Sequence, residues 1–283
     1  MTDKIYNLEV ITPDQVVEQM PLPLWQRIYE KASLRRLLIL VTLLIIWQSY
    51  STWLNNPLLF PSASETMTAL FEGLRSGILV DRILTSLGVL LLGYGVGIFI
   101  AIILAVIAMT SRLGRDLLTT LTAMFNPLPA IALLPVAMLW IGLGTGSLVF
   151  VLAHSVLWSF SLNTLAGFDG VSPTLRMVGR NYGLKGLAYV IHILIPAAFP
   201  SILTGLRLGW AFAWRTLIAA ELVFGVSAGS GGLGWYIYEN KNQLEIASVF
   251  AGLSSVIMIG LVVEYLLFRV IEAKTVRRWG MAL

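Results

Sequence analysis

The amino-acid sequence predicts an all-α membrane protein with six transmembrane helices. Hydrophobic residues make up 57% of the 283 residues and charged residues only 12%, whereas soluble domains carry about 25% charged residues. A chain with so little charge cannot cover its own surface in water, so lipid must solvate much of it. The strands of a membrane barrel would alternate polar and apolar residues. The apolar runs here are continuous, which predicts helices.

The apolar runs are long enough for six crossings, since a helix needs about 20 residues to cross the hydrocarbon. Residues 117–168 contain no Asp, Glu, Lys or Arg, and the sequence GLGTG at 142–146 predicts a tight turn that divides this stretch into two spans. Pro127, Pro129 and Pro135 make the third span irregular, as either two half-helices around a path or a kinked packing helix. The other predicted spans are 37–54, 83–109, 188–223 and 246–268.

The basic residues predict the orientation, because Lys and Arg are enriched on the cytoplasmic side of membrane proteins. With the N-terminus in the cytoplasm, fourteen of the nineteen Lys and Arg residues lie in inside segments and three lie outside. The N-terminal region has no signal-peptide pattern, and residues 23–33 form either an interfacial helix or a solvated tail. The predicted organisation is a cytoplasmic tail at 1–36, a membrane domain at 37–271 with a cytoplasmic loop at 169–187, and a cytoplasmic tail at 272–283.

Composition argues against several classes of function. The chain has no cysteine and two histidines, so we expect no disulfide, no thiolate catalysis and no metal site. The net charge of +4 is spread between apolar runs, so we expect no nucleic-acid partner. The sequence contains no G-x-x-x-x-G-K-[ST] motif and no Gly-Lys dipeptide. Any nucleotide hydrolysis is therefore expected on another polypeptide.

A short basic segment interrupts the apolar sequence between the fourth and fifth spans. Three basic residues lie within ten positions there. The segment predicts a short helix, because Ser172 is a favourable N-cap, Pro173 suits the first helical position and Gly183 can end the helix. A helix this short is marginal alone. We therefore expect it to dock, either against a protein partner or on anionic lipid.

The same stretch resembles the cytoplasmic loop of the permease subunits of bacterial binding-protein-dependent ABC importers. The pattern of that family is Glu-Ala-Ala, three residues, Gly, nine residues, then Ile-x-Leu-Pro. Here Gly183, Ile193 and Pro196 stand at matching positions, whereas Met177 replaces the Glu and neither Ala is present. Four further segments resemble the nitrate, sulfonate, taurine and bicarbonate branch of these permeases: LLFPSASETMTAL, NPLPAIALLPVAMLWIGLGTGS, PAAFPSILTGLRLGWAFAWRTLIAAEL and SGGLGWYIYE.

The resemblance implies a type I ABC importer permease in the bacterial inner membrane, with six spans and a cytoplasmic coupling helix at about 173–187. Such a chain pairs with a second copy of itself, with two cytoplasmic ATPase subunits that hold ATP and Mg, and with a periplasmic or lipid-anchored substrate-binding protein. The chain itself would be no enzyme and would hold no cofactor. The cargo would be a small anion, with sulfonate or taurine ahead of nitrate or bicarbonate. The implied contacts with the ATPase are Arg176, Met177, Gly179, Arg180, Tyr182, Gly183, Leu184 and Lys185.

Charged groups inside the spans are candidates for the transport path, since an arginine near the membrane centre costs about 2.5–3.5 kcal/mol on insertion scales. Arg215 either faces the path and attracts an anion or pairs with Glu264 or a backbone carbonyl. Glu221 lies about 240° further around the same helix, so a direct pair with Arg215 is poorly placed; it is either a gate or a packing contact. His154 is either a site residue or a neutral packed histidine, and Trp214, next to Arg215, is the fourth path candidate.

Two other classes fit the sequence less well. An ion-gradient-driven secondary transporter or channel often has inverted repeats and paired acidic residues, and an intramembrane enzyme needs a nucleophile motif. The two halves of the chain show no convincing repeat, and no nucleophile motif is recognisable. The pairs Gly93/Gly97 and Gly205/Gly209 form G-x-x-x-G motifs, which permit close approach of helices but do not identify a dimer face.

Overall fold

The computed structural model describes residues 31–224 and 231–280. This described part of the chain is helical and contains no strand. The chain divides into two compact units, Met1–Tyr50 and Ser51–Leu283, and the first helix crosses the boundary between them. The predicted interfacial helix at 23–33 lies almost entirely outside the described residues.

The helices follow one another with short connections. They are α1 (Ala32–Leu54), α2 (Ala63–Arg75), α3 (Ile78–Thr110), α4 (Arg112–Phe125), α5 (Leu134–Ile141), α6 (Thr145–Asp169), α7 (Pro173–Asn181), α8 (Gly186–Tyr189), α9 (Ile195–Phe224), α10 (Leu233–Asn242), α11 (Ile246–Val262) and α12 (Arg269–Glu272). A 3-10 turn at Ala130–Leu133 leads into α5, and π-helical segments lie at Val190–Leu194, Val263–Phe268 and Ala273–Arg277.

The prediction of a multi-pass helical membrane protein is confirmed. Five helices in the described residues are long and apolar enough to cross a membrane: Ala32–Leu54, Ile78–Thr110, Thr145–Asp169, Gly186–Phe224 and Ile246–Arg277. A sixth crossing is formed if the bent pair Arg112–Phe125 and Ala130–Ile141 counts as one span. Each observed helix is longer than its predicted apolar run, because helical hydrogen bonding continues into the polar ends; the last one extends to Arg277.

The predicted third span is broken at its prolines. Its two halves meet at an angle of 92°. Pro127 and Pro129 lack a backbone N–H, so the α-helix ends at Phe125 and, after the 3-10 turn that begins at Ala130, α-helix resumes at Leu134. Of the two predicted alternatives, the structure therefore adopts the half-helices. The predicted turn after them is confirmed as well, since Gly142 has a φ of 94°, a conformation that favours glycine.

Helix α6 packs closely against α3 through the first G-x-x-x-G motif. A Cβ added at Gly93 would lie 2.5 Å from Cβ of Leu152, and one added at Gly97 would lie 2.8 Å from the carbonyl oxygen of Ala153. Both distances are shorter than van der Waals contact. The two helices can pack this closely because both positions are glycines, which have no Cβ.

The second motif packs against the same helix from α9. A Cβ added at Gly205 would lie 3.0 Å from Cβ of Asn163, and one at Gly209 would lie 3.2 Å from Cγ1 of Val156. Val156 is fully buried and also borders Gly97, at 2.9 Å. Both motifs thus serve contacts inside one chain, with α6 held between them.

The close approach of α3 and α6 predicts an asymmetric response to two matched substitutions on α3. Gly97→Ala should lower the free energy of unfolding by about 1–3 kcal/mol, because the added methyl overlaps α6. Gly95→Ala is the control, since nothing lies within 4 Å of a Cβ there and alanine favours helix. Thermal unfolding of the two variants in the same detergent measures the difference; equal midpoints would contradict the packing described here.

Candidate functional site

A cavity of about 440 Å³ lies where the broken third span meets α6 and α9. The break contributes residues 125–131. On α6, His154 and Trp158 line it together because residues four apart share one face of a helix. On α9 the lining includes Arg215. Two of the four predicted path residues, Arg215 and His154, are therefore brought to one cavity. The full lining is Phe125, Asn126, Pro127, Leu128, Pro129, Ala130, Ile131, His154, Ser155, Trp158, Phe212, Arg215, Thr216 and Ala219.

Arg215 has no acidic partner among the residues that the structure describes. Its Nε donates to the carbonyl oxygen of Ala211, one turn earlier, at 3.2 Å. Its guanidinium carbon lies 5.0 Å from the centre of the Phe212 ring, a cation–π contact. The backbone carbonyl, one of the two alternatives weighed from the sequence, thus engages one nitrogen. The planar fork of terminal N–H groups is available to a ligand.

Arg207, two turns earlier on α9, is neutralised instead. Its Nε lies 3.3 Å from Oε1 of Glu264, and its Nη2 donates to Oε2 of Glu272 at 3.1 Å. The Phe268 ring packs beneath the guanidinium, 5.7 Å from centroid to carbon. Glu264, the predicted alternative partner of Arg215, is therefore occupied by Arg207. Three further arginines in the described residues also pair with carboxylates: Arg82 with Glu239, Arg115 with Asp169, and Arg277 with Glu272.

An aromatic cluster forms the wall of the cavity on the side of α4 and α6. The rings of Phe125 and Trp158 stack with centroids 5.3 Å apart and planes 18° from parallel. The His154 ring stands edge-on to both, at 6.1 Å and 5.9 Å. Neither ring nitrogen of His154 nor Nε1 of Trp158 has a hydrogen-bond partner within the described ranges. Buried polar atoms normally find such a partner.

A second cavity, of about 420 Å³, lies next to the first. The two share Asn126 and Pro127 in the break of the third span. The second is bordered at its far end by the ion pair between Arg115 and Asp169. Together they follow the interface of α4 with α6 for most of the length of α4.

Glu221 lies outside both cavities, in a buried hydrogen-bond network, with only 4% of its surface exposed. The Ser86 hydroxyl donates to its carboxylate at 2.9 Å, and the backbone N–H of Gly234 donates at 2.8 Å. The backbone N–H of Leu233 in turn donates to the Ser86 oxygen at 2.8 Å. The carboxylate therefore fastens the first turn of α10 to α3 and α9.

Glycine is required where α10 begins. A Cβ at Gly232 would lie 2.2 Å from both the Glu221 carboxylate and the Ser86 hydroxyl, and one at Gly234 would lie 2.6 Å from Cβ of Glu221. The Gly-rich sequence there is thus partly a packing requirement. Trp214, the remaining path candidate, also points elsewhere: it is buried and its Nε1 donates to the carbonyl oxygen of Val256 at 3.3 Å.

The loop helix α7 has the predicted caps. The Ser172 hydroxyl accepts the N–H of Leu175 at 3.3 Å, and Gly183 has a φ of 72°. The regular helix ends at Asn181, and a new one starts at Gly186. The predicted single helical segment at 173–187 is therefore two short helices joined by a glycine turn.

Two of the predicted coupling residues face this chain itself. Arg176 donates to the carbonyl oxygens of Val171 at 3.0 Å and Phe168 at 2.5 Å, so it satisfies the end of α6. Gly179 is buried, and a Cβ there would lie 2.9 Å from the Tyr189 ring and 2.8 Å from Ile193. The others are exposed or lie in the turn: Met177, Arg180, Tyr182, Gly183 and Lys185 are exposed, and Leu184 is half-buried.

Sequence reasoning did not identify Phe125, Trp158, Phe212 or Ser86 as site residues. A signal existed for Trp158, because it lies one turn after His154 on the same helical face. For Phe125 the signal was the proline break that follows it at once. The positions of Phe212 and Ser86 depend on which helices pack together, which local sequence does not reveal.

These features define a class of protein. A broken membrane helix is tolerated where it lines a cavity, and broken helices that aim polar groups at a cavity near the middle of the membrane are typical of transport proteins. The fold and the cavity together are those of a multi-pass transport protein.

The comparison with known proteins gives the family. Residues 97–277 match the family described as binding-protein-dependent transport system inner membrane component, and the chain belongs to this family. It is 32% identical over 224 residues to a protein of Methanocaldococcus jannaschii that is provisionally named an ABC transporter permease protein, covering 78% of this chain and 83% of the relative. The chain is therefore a membrane permease subunit of an ABC transport system.

Two further relatives carry the name of a transported compound. The chain is 33% identical over 193 residues to SsuC of Escherichia coli, provisionally named an aliphatic sulfonates transport permease protein, covering 68% of this chain and 72% of the relative. It is 26% identical over 247 residues to the nitrate import permease protein NrtB of Synechocystis, covering 84% and 87%. The predicted resemblance to the nitrate and sulfonate branch is confirmed.

The Glu221 network predicts a specific loss on Ser86→Ala. The substitution removes a donor to a buried carboxylate and the acceptor for Leu233, so the free energy of unfolding should fall by about 1–3 kcal/mol. Ser255→Ala is the control, because Ser255 is equally buried but its hydroxyl bonds only its own helix, at Ala251. Denaturation of both variants in one detergent measures the gap; a Ser86→Ala protein as stable as the Ser255→Ala protein would contradict the network.

Proposed function

We propose that this chain forms the translocation path for a small anion in an ABC importer and that Arg215 binds the anion. The proposal rests on one contrast between two arginines of the same helix. Arg207 has two carboxylate partners, whereas Arg215 has none among the described residues and lines the cavity. The named relatives act on aliphatic sulfonates and on nitrate, both of which are anions.

The position of Arg215 along the membrane agrees with this role. It lies nine residues before the end of α9 at Phe224, and His154 lies nine residues after the start of α6 at Thr145. Nine residues of helix span about 13 Å, close to half of a hydrocarbon core of about 30 Å. A guanidinium at this depth needs compensation, and an oxyanion can accept two parallel N–H bonds from it.

The second cavity gives the anion a route beyond Arg215. It shares the break of the third span with the first cavity and reaches the pair of Arg115 with Asp169. In this proposal the six spans include the broken third span, and both chain termini lie in the cytoplasm. The route then leads from Arg215 toward the cytoplasmic end of α6.

The energy for transport comes from other subunits in this proposal. Two cytoplasmic ATPase subunits would hold ATP and Mg, a second copy of the chain would complete the path, and a substrate-binding protein would deliver the anion. The loop helix α7 would couple the ATPase to the membrane domain. Its outer surface offers an apolar and basic patch to such a partner: Met177 is 57% exposed, Tyr182 is 81% exposed, and Arg180 and Lys185 are also exposed.

Arg215→Ala should abolish anion uptake while the complex still assembles. Charge-assisted hydrogen bonds contribute about 1.5–3 kcal/mol each, so the affinity of the path for the anion should fall about 10- to 150-fold. Uptake of labelled anion into proteoliposomes that hold the complete complex measures the loss. Basal ATP hydrolysis and the elution volume of the complex report its assembly.

Arg207→Ala is the matched control for this experiment. Removing Arg207 leaves Glu264 without a counter-ion and Glu272 with Arg277 alone, so that variant should lose stability and assembly. Arg215→Lys keeps the charge but not the planar fork, so it should restore uptake only in part. If Arg215→Ala fails to assemble, as Arg207→Ala does, the residue is structural and the proposal is wrong.

The absence of cysteine from the sequence allows a clean test of the loop helix. A single Arg180→Cys variant should react with a membrane-impermeant maleimide from the cytoplasmic side and crosslink to the ATPase subunit in the complex. Gln243→Cys, at the other end of the spans, should react from the outside and give no such crosslink. If Arg180→Cys is labelled from the outside, the proposed orientation is wrong.

A further inference from the structure

We infer that the cavity around Arg215 is an amphiphilic binding site, built for an organic anion with an apolar or aromatic body rather than for an inorganic oxyanion. The inference rests on the proposed function, because it takes Arg215 as the group that holds the charge. It adds that the chain itself, and not only its substrate-binding partner, selects the body of the cargo.

The first observation is the imbalance between charge and aromatic surface in the cavity. Among the residues that the structure describes, Arg215 is the one charged side chain in the lining, whereas Phe125, Trp158 and Phe212 contribute aromatic rings. A small inorganic ion would use the guanidinium and leave these rings against water. An organic body covers them, and apolar burial then adds to the charge-assisted bonds.

The second observation is the geometry of the rings. Phe125 and Trp158 stack on each other, with centroids 5.3 Å apart and planes 18° from parallel, so the pair forms one continuous aromatic block in the wall. Phe212, on the opposite helix α9, packs against the guanidinium of Arg215 at 5.0 Å. The charged group and an apolar ring are thereby held side by side, which matches an anion whose charged head is joined directly to an apolar body.

The third observation is the polar atoms in the wall. Trp158 is 7% exposed, and its Nε1 has no hydrogen-bond acceptor within the described ranges. Indole nitrogen can only donate, and buried donors are normally paired. The nitrogen itself is buried, so a rotation of the indole toward the cavity would present this donor to an acceptor oxygen on the bound molecule. Both ring nitrogens of His154 lack a partner in the same wall.

The fourth observation is size. The cavity of about 440 Å³ lies within the range of about 300–1,000 Å³ that is usual for sites of organic ligands. This is the volume that about fifteen water molecules occupy in liquid water. A four-atom oxyanion would fill a small part of this space and would leave most of it to solvent.

The test compares anions that share a head group. Benzenesulfonate and methanesulfonate differ only in the body, and nitrate has no body. Binding of each, as its sodium salt at equal ionic strength, is measured by calorimetry on the detergent-purified complex of this chain with its ATPase subunits. Benzenesulfonate should bind about fivefold or more tightly than methanesulfonate, in line with the usual gain from aromatic contacts, and nitrate should bind no more tightly than methanesulfonate.

Variants of the wall should remove this preference selectively. Phe212→Leu and Trp158→Phe should reduce the affinity for benzenesulfonate by about threefold or more and leave methanesulfonate nearly unchanged. Trp210→Phe is the matched control: Trp210 is also buried with an unpartnered Nε1, but it packs on Tyr94 and does not line the cavity. Thermal unfolding checks each variant, and Phe212, which is 37% exposed, is the more tolerant site if Trp158→Phe unfolds.

The possible results separate this inference from the proposed function. If the three anions bind equally well, or if the wall variants weaken all of them alike, the cavity does not select an organic body and the inference is overturned. If Arg215→Ala leaves the affinity for every anion unchanged, the proposed function fails, whatever the preference for the body. If Arg215→Ala weakens all three anions and Phe212→Leu weakens only benzenesulfonate, both stand.

Discussion

The close packing of α6 against glycines of α3 and of α9 is the constraint on which the rest of the structure depends. Gly93 and Gly97 of α3 lie against one side of α6, and Gly205 and Gly209 of α9 lie against another. Because lipid removes the hydrophobic driving force between membrane helices, their association depends on such close packing. The positions of His154 and Trp158 on α6 relative to Arg215 on α9 follow from it, and so does the cavity between them.

The two arginines of α9 have different surroundings. Arg207 is held by Glu264 and Glu272 and fixes the last span against α9. Arg215, two turns further along, has only a carbonyl and a ring beside it within the described residues. A membrane protein tolerates such a group when it serves a ligand or faces a water-filled path. On α9, Arg207 thus has a structural role, whereas Arg215 is exposed to the cavity.

Features governed by local chemistry were predictable from the sequence. The turn at Gly142, the caps of α7 and the break at Pro127 all follow from residues next to one another in the chain. The family followed too, because several motifs agreed. The partners of Glu221 and Trp214 did not follow, since Ser86 lies 135 residues away from Glu221 and Val256 lies 42 residues from Trp214. The G-x-x-x-G motifs predicted close contacts between helices, but they did not predict that both motifs contact α6.

Arg176 ties the loop helix to the membrane part of the chain more firmly than its surface position suggests. It holds the carbonyl oxygens of Phe168 and Val171, while Gly179 lets the same helix sit directly on Tyr189 and Ile193. Phe168 is at the C-terminal end of α6, a continuous helix of 25 residues from Thr145 to Asp169 that is about 37 Å long. The loop helix α7 is therefore fixed to one end of the same helix that carries Trp158 and His154 at the cavity.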